Sequence, residues 1–140
     1  MIFLALILIG GVLLYAVIVG GAPAKPKGGR GGGGVSAEEI RPRWDLIVST
    51  SKTGASGLKN SVLEADKLLD YVLKKQGYRG ETMAERLKKA QSQLSDRNGT
   101  WRAHKLRNTI AHEVGFDLVP SQVNEALRDY EKALKDLKVL

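Results

Sequence analysis

The sequence predicts an all-α protein, a small bundle of about five helices over residues 36–140, preceded by one transmembrane helix and a Gly-rich linker. Three observations carry this. From Ser36 onward apolar residues recur three and four apart and nowhere alternate with period two, which is the pattern of helices and not of strands. Cap-forming residues and glycines interrupt the pattern at intervals that suit helices of ordinary length. Before Ser36 the chain changes character twice, from an uncharged apolar run over residues 1–19 to a stretch dominated by Gly, Pro and Lys. The resulting division is residues 1–20 as a membrane anchor, 21–35 as a flexible linker and 36–140 as the helical domain.

Composition bounds what such a chain can do. With 140 residues, 43% hydrophobic and 26% charged, it has material for one core and an appendage. The absence of cysteine excludes disulfide staples, thiolate metal sites and a cysteine nucleophile. The net charge of +7 is uneven: Lys25, Lys27 and Arg30 precede Ser36, which leaves 19 basic against 15 acidic residues, a net +4, for the domain. That is mildly basic, well short of a nucleic-acid clamp.

Residues 1–19 are interrupted only by Gly10, Gly11 and Tyr15. At about 1.5 Å per residue, about 20 residues cover the roughly 30 Å of a bilayer's hydrocarbon layer. A cleaved signal peptide is the competing reading, since Ala22-Pro23-Ala24 has small residues at a cleavage-site spacing. Two features favour a retained anchor: no Lys or Arg precedes the run, and the run exceeds the usual signal length of about 7–15 apolar residues. Basic residues only on its C-terminal side direct that side to the cytoplasm, giving a single-pass protein of the cell membrane with a cytoplasmic domain. Ala16 and Gly20 form a small-xxx-small pair of the kind that lets two spans approach. Gly20 to Gly34 is too glycine-dense to order at acceptable entropic cost, so a spacer with a topogenic charge cluster is expected there.

The domain opens with Ser36 as an N-cap, followed by Glu38 and Glu39 in the first turn, after which Trp44, Ile47 and Val48 share a face. Pro42 is compatible with a helix only in its first turn, so the regular part is expected to begin near it. Gly54 to Gly57 marks a break. The clearest helix spans 58–76, with Val62, Ala65, Leu69 and Val72 widened by Leu68 and Leu73, and Gly77 at the position that ends helices in the left-handed conformation. Its acids Glu64, Asp66 and Asp70 precede Lys74 and Lys75, which suits the helix dipole. Thr82 starts a helix with Met83, Leu87, Ala90 and Leu94 on one side, ending near Asp96 to Gly99. Thr100 is expected to cap a fourth helix that stops near Gly115. Ser121, after Pro120, is expected to cap the last, with Val123, Leu127, Tyr130, Leu134 and Leu137 inward.

The fourth helix carries the richest chemistry, in the run Trp101-Arg-Ala-His104-Lys-Leu-Arg107-Asn108-Thr-Ile-Ala-His112-Glu113. At about 100° per residue, Ala103, Leu106, Ile110 and Val114 share an arc that should face the core. Trp101, His104, Asn108 and His112 fall on the opposite arc with Arg107 on its flank. His104 and His112 are about 12 Å apart along the axis, too far to share a metal, so no metal site or cofactor is assigned. Phosphate chemistry fits better. An arginine fork matches phosphate oxygens, and a histidine can pass protons to or from a ribose 2′-hydroxyl and a leaving 5′-oxygen. Asn108, one turn from His112, is placed to orient that ring. Arg107 and His112 lie about 140° apart on an ideal helix, so a shared ligand needs a frayed helix end or a second copy of the motif.

The segment Arg107-Asn108-Thr-Ile-Ala-His112 resembles the arginine, four-to-six residues, histidine signature of the HEPN superfamily, in which a polar residue, often asparagine, follows the arginine. The resemblance implies a small helical domain related to metal-independent endoribonucleases and their inactive relatives, a homodimer bringing two motifs into one cleft, and RNA as the partner. It implies Arg107 as phosphate stabiliser, His112 as general acid or base and Asn108 in support; His104 and Trp101, on the same arc of the helix, are the further supporting candidates. The alternative is a non-catalytic, membrane-tethered module for an unknown protein partner. There Arg107 would pair with an acid such as Glu113, Asp117 or Glu125, and Asn108 and His112 would satisfy backbone groups. Trp44 and Trp101 are expected to fill the core rather than stack on bases.

Overall fold

The computed structural model describes residues 34–140; the expected anchor at 1–20 and nearly all of the linker lie outside the described residues. Five α-helices and no strands occur among them. They are α1 (Ala37–Thr50), α2 (Ala55–Lys75), α3 (Met83–Ala90), α4 (Arg97–His112) and α5 (Pro120–Asp136). None of the described helices is long and apolar enough to cross a membrane.

Helix α2 organises the domain. Its 21 residues span about 30 Å, and it packs against all four other helices, while α4 and α5 also pack on each other. Only an element with apolar residues on more than one side can do this, and Val62, Ala65, Leu68, Leu69, Val72 and Leu73 are all buried. From α5 come Val123, Ala126, Leu127, Tyr130, Ala133 and Leu134, all of them buried. Ile40, Trp44 and Ile47 of α1 and Leu87 and Ala90 of α3 close the same core.

Local signals explain most helix ends. Ser36 caps α1, its hydroxyl accepting from the Glu39 N–H at 3.3 Å. The helix nonetheless starts at Ala37, so Pro42 lies inside it and does not begin it. Burial of Ile40, Trp44 and Ile47 on one face outweighs the hydrogen bond that Pro42 cannot make. Gly54, at φ 94°, turns the chain into α2, which begins three residues earlier than the apolar periodicity indicated. Gly57 lies in that first turn, where a side chain has no room because a Cβ would run into the Thr50 carbonyl oxygen. At the other end Gly77, at φ 86°, closes α2, with its N–H donating to the Lys74 carbonyl and that of Tyr78 to the Leu73 carbonyl, each at 3.0 Å.

The later caps depart from expectation by a few residues. Asp96, not Thr100, caps α4, accepting from the Gly99 N–H at 2.8 Å, while the Thr100 hydroxyl donates to the Asp96 carbonyl at 2.9 Å inside the first turn. Val119, not Ser121, precedes α5. Pro120 takes the first helical position, where its missing N–H costs nothing, and the Gln122 side chain accepts from the Val119 N–H at 3.1 Å.

Candidate functional site

The orientation of α4 decides what its polar residues can do, and it differs from the expected one. Gly99, Thr100, Ala103 and His104 are buried, Leu106 and Ile110 only half-buried, and Val114 fully exposed just beyond the helix end. The helix is therefore rotated so that part of its polar stripe faces α2. The cause sits on α2. Asp66 lies within about 60° of Val62, Leu69 and Leu73 on an ideal helix, so its carboxylate enters the core with them and must find donors.

It finds three. His104 Nδ1 lies 2.9 Å from Asp66 Oδ1, the Tyr130 hydroxyl donates to the same oxygen at 2.9 Å, and Arg107 Nε lies 3.4 Å from Oδ2 in an ion pair. Asn108 extends the chain of contacts: its Nδ2 is 3.4 Å from His104 Nε2, and its Oδ1 accepts from Arg107 Nη1 at 3.1 Å. With a proton on Nδ1 the imidazole donates to Asp66, and its Nε2 can accept from Asn108. Burial first, and then the adjacent Asp66 charge that its hydroxyl serves, push the Tyr130 phenol well above its ordinary value of 10.0, so it remains a donor.

This network backs a cleft of about 450 Å³ walled by α2, α3 and α4. Asp66, His104, Arg107 and Asn108 line it together with Asp70, Glu81 and Arg86. Arg86 is spoken for. Its guanidinium donates to both Asp70 oxygens, at 2.6 and 3.1 Å, and to the Gly80 carbonyl, fixing α3 on α2. Burial alone would raise the Asp70 carboxyl, but hydrogen bonds from Arg86 and Lys74 prevail and hold it below its ordinary value. Arg107 differs: its side chain is about 30% exposed, Nη2 meets no acceptor among the described residues, and Nε is buried without a hydrogen bond.

The candidate residues thus separate. His104, Arg107 and Asn108 come together with Asp66. Trp101 lies edge-on to His104, ring centroids 6.0 Å apart, and packs as a half-buried side chain, as Trp44 packs fully buried on α1. His112, the last residue of α4, is exposed, and no hydrogen bond or ion pair joins it to Arg107 or Asn108 among the described residues. None of Glu113, Asp117 and Glu125 pairs with Arg107. Glu125 instead joins Asp129 on Arg102, at 3.2 and 2.9 Å. Asp66 and Tyr130 were missed as site residues, although an acid inside the apolar stripe of α2 is a legible demand for a buried partner. Comparison with family models, curated proteins and solved structures yields no match, so the HEPN likeness stands on residues 107–112 alone.

Proposed function

We propose that the chain is a membrane-anchored, HEPN-like helical domain that binds RNA by its phosphates. The carrying observation is Arg107: Asp66 and Asn108 hold two sides of its guanidinium, and the third nitrogen is left without a protein acceptor at the edge of an open cleft. A guanidinium so restrained loses little side-chain entropy when it takes a phosphate oxygen. Metal-independent cleavage would further require His112 as general acid or base. His112 is exposed and separate from Arg107 in one chain, so that chemistry calls for a second copy facing the first. The anchor and the cytoplasmic orientation rest on the uncharged run at 1–19 and on Lys25, Lys27 and Arg30.

The test uses the full-length chain with labelled single-stranded RNA in EDTA. Binding that is lost on Arg107→Ala supports the reading. Product ending in a 2′,3′-cyclic phosphate, reduced about 10²–10⁴-fold by His112→Ala, extends it to an endoribonuclease. Wild-type protein that neither binds nor cuts RNA returns these residues to the second reading, a tethered interaction module. The saturation of Asp66 by His104, Tyr130 and Arg107 is the observation in that reading's favour.

A further inference from the structure

We propose that Asp66 is a positioning residue for Arg107, acting directly on Nε and also through His104 and Asn108, so that the phosphate-binding group is set from α2 as well as from its own helix. The inference rests on the RNA-binding reading and deepens it. A guanidinium is a flat fork with one Nε–H and four Nη–H groups, and an arginine at a helix flank ordinarily samples many rotamers. Here two constraints meet on it. Asp66 Oδ2 lies 3.4 Å from the buried Nε in an ion pair that makes no hydrogen bond, and Asn108 Oδ1 accepts from Nη1 at 3.1 Å. Asn108 cannot turn away freely, because its amide nitrogen lies 3.4 Å from His104 Nε2. That ring is itself pinned at Nδ1 by Asp66 at 2.9 Å. The carboxylate therefore fixes both ends of a loop of contacts that closes on Arg107, and Nη2 is the nitrogen left over.

The loop also explains why a negative charge belongs beneath a site for anions. Buried at 4% side-chain exposure and shared by Tyr130, His104 and Arg107, the Asp66 carboxylate is compensated from within and need not repel a phosphate at the cleft mouth. An asparagine at 66 keeps the size but removes the charge that draws Nε in, which makes Asp66→Asn the discriminating variant.

Two measurements on the full-length chain test this, with Leu69→Ala as a control that weakens the core but removes no member of the loop. In the first, nitrogen–proton NMR of Arg107 should give a sharp Nε–H signal and separate Nη signals in the wild type and in Leu69→Ala. In Asp66→Asn they should collapse to the averaged pattern of a free arginine. In the second, affinity for a fluorescein-labelled single-stranded oligouridylate should fall about tenfold in Asp66→Asn and in Arg107→Ala, and no further in the double variant, whereas independent effects would multiply. Arg107 signals unchanged in Asp66→Asn, or multiplying losses in the double variant, overturn the proposal. Absence of binding by the wild type overturns the RNA reading instead, and the positioning of Arg107 is then decided by the NMR comparison alone.

Discussion

A carboxylate inside a bundle of this size survives only where donors replace its lost water, and Asp66 has them from α4 and α5. Removing the acid should therefore leave His104, Tyr130 and Arg107 without their common acceptor. Asp66→Ala is expected to cost about 3–5 kcal/mol, and Tyr130→Phe, which deletes one bond to a charged group, about 1.5–3 kcal/mol. Thermal unfolding followed by tryptophan fluorescence reads both, since Trp44 and Trp101 are the two tryptophans of the chain and both lie in the bundle; equal stability of Tyr130→Phe and wild type would contradict the network. The phenol adds an alkaline signature. Its folded pKa is raised above 10.0, so its contribution is complete below that value and is lost as pH rises through the higher folded value. The alkaline limb of stability should accordingly flatten in Tyr130→Phe. At this scale the sequence singled out Arg107, Asn108, His104 and His112, and the structure brings the first three together while His112 stays exposed and apart. The sequence did not disclose their shared acceptor, because Asp66 is 38 residues from His104 and 64 from Tyr130 along the chain.

Helices α2 and α5 were legible because their apolar stripes are wide and regular, so that Val62, Leu69, Val123 and Tyr130 point inward as periodicity demands, whereas α3 stops at Ala90 and leaves the expected Leu94 buried beyond its end. Helix α4 was not, because its two arcs are nearly balanced: small Ala103 and half-buried Leu106 and Ile110 on one side compete with a polar set whose burial depends on Asp66. The rotation has measurable consequences. Leu69→Ala should cost about 2–5 kcal/mol, Ile110→Ala distinctly less, and Val114→Ser close to nothing; a full core penalty at Ile110 would put the helix back in the expected orientation. The seam between α4 and α5 is tight at Gly99, where a Cβ would stand 2.5 Å from Asp96 Oδ2 and 2.7 Å from Asp129 Oδ1. Gly99→Ala should displace the α4 cap and the Arg102–Asp129 bridge, costing about 1–3 kcal/mol of unfolding free energy. The α2–α3 seam titrates instead. With the folded Asp70 pKa below its unfolded value, its contribution is complete above the ordinary carboxylate range and is lost as pH falls through the folded value. In Arg86→Met, acid unfolding should be less steep in that low-pH window.

Among the described residues every buried apolar residue of the core lies between Ile40 and Val139, and the two ends of that interval are held against the rest by named contacts. Near the start, the Tyr71 hydroxyl donates to Glu39 at 2.6 Å while Arg43 covers the Tyr71 ring at 4.6 Å, joining α1 to α2. Near the end, the Gln76 amide donates to the Leu137 carbonyl at 2.8 Å, and the Ser95 N–H and hydroxyl both donate to Asp136, joining the far end of α5 to α2 and to the entry of α4. At about 105 residues a core held at both ends in this way is large enough to be stable alone. The fragment Ser36–Leu140 is therefore expected to be strongly helical and to unfold in one cooperative step, with the same midpoint by circular dichroism and by tryptophan fluorescence. The domain boundary at Ser36 was readable because composition changes there from glycine to capping and apolar residues. Which helix faces which was not, since that depends on contacts such as Gln76 with Leu137 that leave no local mark. Two separated transitions, or a fragment that is helical but lacks fixed tertiary signals, would show that the core needs something outside 36–140. The fragment should also keep the sharp Arg107 signals of the full-length chain, because every group that holds that guanidinium lies within it.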